Sequence, residues 1–289
     1  MKPAPFDYVA PPTIAGALET LAEAGGGAQV IAGGQTLMPL LNLRMSQPFI
    51  LVDINKTAGM AGITHDGSAT RIGAATRQAA LLVDAELAAK QPVLVKAARH
   101  IGHHQTRNRG TVGGSIALGE PAAELPATSV ALGAELEVHS LRGERRIKAE
   151  EFYLGPYMTT IEPDELLTAV HFPLWPAGTI TVFREVAQRP GDFALVGLVG
   201  ALHVEGGRIA RAGLAWFGMG PTPIKARQAE QALLGQAVDA VDPARIADLA
   251  VSDTAPFEDH HATADYRRRV GQRIFARTLS EALNEKQPA

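Results

Sequence analysis

The chain has 289 residues, 46% hydrophobic and 20% charged, with a formal net charge of −3. That is a globular balance with room for two or three structural units, with no basic stripe for nucleic acid and no apolar run near the roughly 20 residues that cross a bilayer. Cysteine is absent, which excludes disulfides and Cys-ligated iron–sulfur or zinc sites within this chain.

The opening "MKPAPFDYVAPPT" has Pro and Asp where a signal peptide carries its apolar core, so a cytoplasmic protein is expected. Ile14, Ala17, Leu18 and Leu21 repeat at helical spacing behind Thr13, a good N-cap, and "GGG" at 25–27 stops the helix. "AQVIA" reads as a buried strand, Gly33–Gly34 as a tight turn and "TLMPLLNLRM" as a short helical piece limited by Pro39. "FILVDI" at 49–54 completes a small α/β unit, with its boundary set at residue 57.

A second unit is expected over 58–176. "ITHDGSATRIGAAT" reads as a hairpin turning at "DG". "RQAALLVDAELAAK" and "PVLVKAARHIG" read as helices, the second opened by Pro92. "TVGGSIA" carries a second glycine pair, "PATSVALGAELEVHS" reads as helix then strand, and "DELLTAVHFPL" is the closing strand.

Residues 177–289 form the third expected unit. "ITVFREVA", "LVGLVGALHVEGG" and "RIARAGLAWFG" read as a three-stranded antiparallel sheet, followed by helices. One helix has Asp242 as N-cap and Pro243 at its first position. The last places Tyr266, Val270, Ile274, Leu279 and Leu283 near one face, with "RRR" at 267–269 on a solvated face. Met38 and Met45 read as core or interface fillers, and Trp175 and Trp216 as packing residues. Adjacent side chains diverge, so His103–His104 and His260–His261 are poor chelates and no metal site is expected.

"VIAGGQT" and "GTVGGSIA" share two glycines followed by small polar or amide groups, about 80 positions apart. Glycine lets the backbone approach a phosphate and aim successive N–H groups at it, and Thr36, Thr111 and Ser115 add hydroxyls. Two such segments can pinch a pyrophosphate, although glycine turns are also commonly structural. Glu124, nine residues past Ser115, suits the two hydroxyls of a ribose. An adenine dinucleotide follows as a reading, without the G-x-G-x-x-G of the Rossmann version.

With "AGGQTLMPLLNLRM", "LVDINK", "IGAATRQAAL", "QTRNRGTVGGSIALGEPAAELPA" and "DELLTAVHFP" in view, nearly the whole chain resembles the FAD-binding medium subunits of molybdenum hydroxylases, the group of carbon monoxide dehydrogenase and xanthine dehydrogenase. The resemblance implies an α+β protein with a bipartite FAD domain of the vanillyl-alcohol-oxidase type and a small C-terminal domain. It implies that Ala32, Gly33, Gly34, Gln35, Thr36 and the adjoining Leu37 hold the FAD pyrophosphate from one side. Thr106, Gly110, Thr111, Gly114, Ser115 and Ala117 would flank it from the other. Glu124 stands where the family has an acid, often Asp, on the ribose. Ile101 falls where an apolar residue packs on FAD, and Leu167 where a strand residue lies near the adenine or flavin. Arg184 takes a position often basic, and Phe193 one where relatives often place Tyr over the isoalloxazine.

The resemblance further implies a heterotrimer, paired into a dimer. A molybdopterin subunit would oxidise substrate, a [2Fe–2S] subunit would relay electrons to this FAD, and an external quinone, dioxygen or NAD would accept them. The absence of Cys fits that division of labour. Two other readings stay open. A stand-alone flavin oxidoreductase would need an acid or base such as His171 or Asp192. A non-catalytic nucleotide-binding module would use the glycines structurally.

Overall fold

The computed structural model describes residues 2–284. The first unit is a three-stranded parallel sheet, β1 (Asp7–Val9), β2 (Ala28–Ile31) and β3 (Ile50–Asp53), in the order β1-β3-β2. Parallel neighbours need crossovers, here α1 (Ile14–Glu23) and α2 (Leu37–Asn42). Thr13 caps α1 by accepting from the Gly16 amide at 3.2 Å, and Ala17, Leu18 and Leu21 are its buried face.

The second unit carries a five-stranded antiparallel sheet. Its strands are β4 (Ile63–His65), β5 (Ala69–Gly73), β6 (Glu135–Ser140), β7 (Gly143–Lys148) and β10 (Leu166–Pro173), in the order β4-β5-β10-β6-β7. Five helices lie between β5 and β6: α3 (Ala85–Lys90), α4 (Pro92–His100), α5 (His104–Arg109), α6 (Val112–Leu118) and α7 (Glu124–Leu132). After β7 come α8 (Ala149–Phe152) and a small hairpin, β8 (Tyr153–Gly155) with β9 (Met158–Thr159). The helix expected over "RQAALLVDAELAAK" is split: a 3-10 turn spans Gln78–Leu82, and Asp84 caps α3 by accepting from Leu87 N at 2.8 Å. An Asp at the cap position competes with helix continuation.

The third unit has four strands rather than three. To β11 (Ile180–Val186), β12 (Val196–Glu205) and β13 (Arg208–Phe217) the short β14 (Ile224–Lys225) is added. Two paired residues are too few for a periodic signal. Its helices are α9 (Arg227–Leu233), α10 (Pro243–Ser252) and α11 (Ala264–Asn284). Asp242 caps α10 by accepting from the amides of Ala244 and Arg245.

The third sheet is covered on both faces. Phe183, Val199, Ala201, Ala215 and Phe217 join the core of the first two units, while Ile180, Val182, Leu198, Leu202 and Trp216 pack under α10 and α11. A doubly covered strand reads as continuous apolar sequence, as "LVGLVGAL" does. Trp216 is fully buried and donates from its indole to Ala250 O.

The face of α11 differs from the expected one. The buried residues include Arg267, Gly271, Phe275, Leu279 and Leu283, whereas Tyr266 is 43% exposed. Within "RRR", Arg267 is buried at 2% exposure and only its neighbours remain for solvent. Among the described residues no helix is long and apolar enough to cross a membrane.

Candidate cofactor site

The first glycine segment leaves β2 and enters α2. Gly34 sits at φ +67°, a left-handed conformation that glycine takes without strain. The amides of Gly33, Gly34, Gln35 and Thr36 have no hydrogen-bond partner among the described residues, a cradle suited to an anion. Gln35 folds back to donate to Gly33 O at 3.2 Å.

The second glycine pair is not a loop. Gly113 and Gly114 lie in the first turn of α6, with Thr111 as N-cap accepting from Gly114 N at 3.0 Å. Gly113 is there for packing, since a Cβ would run into Ala74. Gly114 faces outward with Ala32 across from it at 3.9 Å from a notional Cβ. Thr111 is buried at 2% exposure behind this cap, and Ser115 is half-buried beside it. The two segments meet: a Cβ on Gly33 would run into the carbonyl of Arg109 and stand 2.7 Å from Cα of Gly110. Ala32 to Leu37 and Gly110 to Ser115 are therefore brought together, with Thr106 on α5 behind Gly110 and Ala117 further along α6.

Glu124 begins α7 and is 6% exposed. Burial first, then the negative Glu185 and Glu120, raise its carboxyl to about 8, so it is protonated at neutral pH. Ile101 closes α4 at 8% exposure. Phe193 is 61% exposed in the loop between β11 and β12, which lies against His103 through Gly191.

Leu167, on β10, is 4% exposed and joins the core of the first two units. Arg184 faces away: it pairs with Glu281 and donates to Thr278 at 3.4 Å, both on α11. The strand alternates, and Phe183, which stacks on His100 at 4.4 Å between centroids, marks the other face. Glu185 lies on that face, and burial raises its carboxyl to about 7. The signal was available, since the period-two pattern of Ile180, Val182 and Arg184 puts Arg184 with the residues under the C-terminal helices.

His171 is occupied elsewhere. Its Nε2 sits 2.8 Å from Glu137, a buried carboxylate that also binds Arg71 and Thr168 at 2.8 Å each. Burial opposes ionisation of Glu137, but those three hydrogen bonds win and hold it at about 2. Asp192 is exposed beside Phe193.

The raised carboxyls predict a pH effect. The folded chain holds their protons more tightly than the unfolded chain, whose carboxyls titrate near ~4.3. Stability is therefore unaffected below that pH and falls as pH rises towards about 7 and about 8. Glu185→Gln should raise the apoprotein's Tm at pH 8.5–9 and leave it unchanged at pH ~4. An equal gain at both pH values would rule this account out.

Two glycine segments pressed together, the first with unpartnered amides, are the arrangement of a two-lobed dinucleotide-binding protein. Residues 4–175 match the family described as "FAD binding domain in molybdopterin dehydrogenase", and residues 181–282 match "CO dehydrogenase flavoprotein C-terminal domain". The 6-hydroxypseudooxynicotine dehydrogenase complex subunit alpha of Paenarthrobacter nicotinovorans is 40% identical, over 100% of this chain and 98% of its own. The carbon monoxide dehydrogenase medium chain of Hydrogenophaga pseudoflava is 33% identical over 98% of both. A solved structure of carbon monoxide dehydrogenase from that organism, lacking the Mo-pyranopterin moiety, superposes with a TM-score of 0.95 at 35% identity, covering 98% of this chain and 99% of that one. The chain belongs to the family of FAD-binding medium subunits of molybdenum hydroxylases.

Proposed function

We propose that this chain is the FAD-carrying electron-transfer subunit of a molybdopterin-dependent hydroxylase. The carrying observation is the meeting of two glycine segments, the first with four unpartnered amides and the second opening α6 with the exposed Gly114. FAD supplies the one- and two-electron chemistry, which the chain's own groups do not offer. The residues hold and orient it. Gly33 to Thr36 and Thr111 to Ser115 grip the pyrophosphate. Glu124, protonated at neutral pH, both donates to and accepts from the ribose hydroxyls. Phe193 shields one flavin face.

The partners in this reading are an iron–sulfur subunit that delivers electrons and a molybdopterin subunit that oxidises the substrate. Two features support it: the chain has no cysteine, and the relatives named above include a complex subunit and a medium chain. A third is the exposure of Leu43 at 55%, Met45 at 73% and Phe49 at 78%. Exposed apolar groups of this size suit a protein partner, and they place Met45 at a surface rather than in the core. His171 lies on β10 bound to Glu137, and no hydrogen bond among the described residues joins it to the glycine segments.

Purified protein should be yellow and retain close to one FAD per chain. It should copurify with an iron–sulfur and a molybdenum subunit. A colourless protein that takes up no FAD would refute the cofactor assignment. A lone flavoprotein that turns over substrate unaided would refute the partner assignment.

A further inference from the structure

We propose that Asn55 and Arg77 form a brace that aims the amides of the first glycine segment at the cofactor's pyrophosphate, making both positioning residues for FAD. The inference rests on the FAD reading above. Asn55 follows β3 in the first unit, and Arg77 follows β5 in the second. The side-chain amide of Asn55 donates to Ala32 O at 2.7 Å and to Asp53 Oδ1 at 2.6 Å. Its oxygen accepts from Arg77 Nη2 at 2.7 Å, and Arg77 Nη1 donates to Arg109 O. Asp53 is held in turn by the Tyr8 hydroxyl at 2.5 Å and by the Asn55 amide at 2.8 Å.

The chain has no cis peptide bonds among the described residues. In a trans peptide the C=O and N–H point in opposite directions. Tying Ala32 O to Asn55 therefore turns the Gly33 N–H away from Asn55, and that N–H is the first of four successive unpartnered amides. Arg109 O is the atom that Gly33 closely approaches, and Arg77 holds that carbonyl. The brace thus fixes one backbone carbonyl in each of the two glycine-bearing segments where they meet.

The residue types fit the task. Asn supplies a donor for Ala32 O and an acceptor for Arg77 in one planar group. An Asp there would set an acceptor against both Ala32 O and Asp53. The guanidinium fork reaches both units at once, which a single ammonium does not.

Apoproteins of wild type, Asn55→Asp, Asn55→Ala, Arg77→Lys, Arg77→Met and the Asn55→Ala/Arg77→Met double variant would be titrated with FAD by flavin fluorescence. Apoprotein Tm and the phosphorus NMR spectrum of bound FAD would be recorded alongside. Asn55→Asp and Arg77→Met should weaken FAD on the order of 10–100-fold, with Arg77→Lys between them and wild type. The double variant should be no weaker than its worse single parent, because the two residues act as one unit. The pyrophosphate signals should shift while the flavin absorption bands stay in place. Wild-type affinity and spectra in Asn55→Asp and Arg77→Met would overturn the brace. So would strictly additive losses, or losses confined to variants whose apoprotein is already unfolded. A wild-type protein that takes up no FAD would overturn the cofactor reading, and the brace with it.

Discussion

Gly33→Val is expected to abolish FAD retention while leaving the chain folded. The reason is a backbone-to-backbone approach. Any Cβ at position 33 runs into the Arg109 carbonyl and comes within 2.7 Å of Gly110 Cα. Neither atom can rotate aside as a flexible side chain would, so the two segments must separate. Since Gly33 lies in a surface segment outside the buried cores, the parting is local. FAD affinity should fall by more than about 100-fold, equivalent to about 3 kcal/mol. The measurement is the flavin-to-protein ratio after desalting, with circular dichroism to confirm folding. Gly133→Ala is the matched control. Gly133 ends α7 at φ +71° with nothing near its notional Cβ, so it costs about 1 kcal/mol of stability and should leave FAD bound. A Gly33→Val protein that keeps its flavin would show that this close approach does not shape the grip.

Arg267→Met should be the most damaging single change outside the cleft. The guanidinium is 2% exposed and donates to Leu195 O at 2.5 Å, to Gly218 O at 3.1 Å and to Asp259 at 2.7 Å, with Phe257 4.7 Å away across its face. Methionine fills much of the volume but leaves two carbonyls and a carboxylate short of donors. Breaking such a buried set costs about 3–5 kcal/mol, roughly 10 °C in Tm for a chain of this size. The effect reaches the cleft, because the Gly218 amide donates to Pro121 O at 2.9 Å, three residues before Glu124. Thermal scans of the apoprotein test it, and Arg268→Met should change Tm by no more than about 1 °C. A Tm for Arg267→Met within about 1 °C of wild type would sink the argument.

Much of the site was legible as a list of segments. Both glycine pairs were readable as places of close backbone approach, to Arg109 for Gly33 and to Ala74 for Gly113, though not which neighbour each would meet. Asn55 and Arg77 were not readable. Each is an ordinary polar residue past a strand end, 22 positions apart, and only folding sets their side chains 2.7 Å from each other. Glu185 was within reach of strand alternation, but the family resemblance pointed to Arg184, a position often basic in those relatives.

By itself, the sequence determined what depends on neighbours a few residues away. Thr13, Asp242 and Pro92 set helix starts, apolar runs set strands, and the lack of cysteine excluded Cys-ligated clusters from this chain. Tertiary structure decided what depends on which face is covered and by what. Three consecutive arginines are chemically identical, yet successive residues on a helix point about 100° apart, and the third sheet meets only one of those directions. The same covering turned Arg184 to α11 and Glu185 to the other face, made Gly113 a packing residue, and pressed Gly33 onto Arg109. Periodicity can say that faces exist, but a buried face is defined only once its partner has arrived.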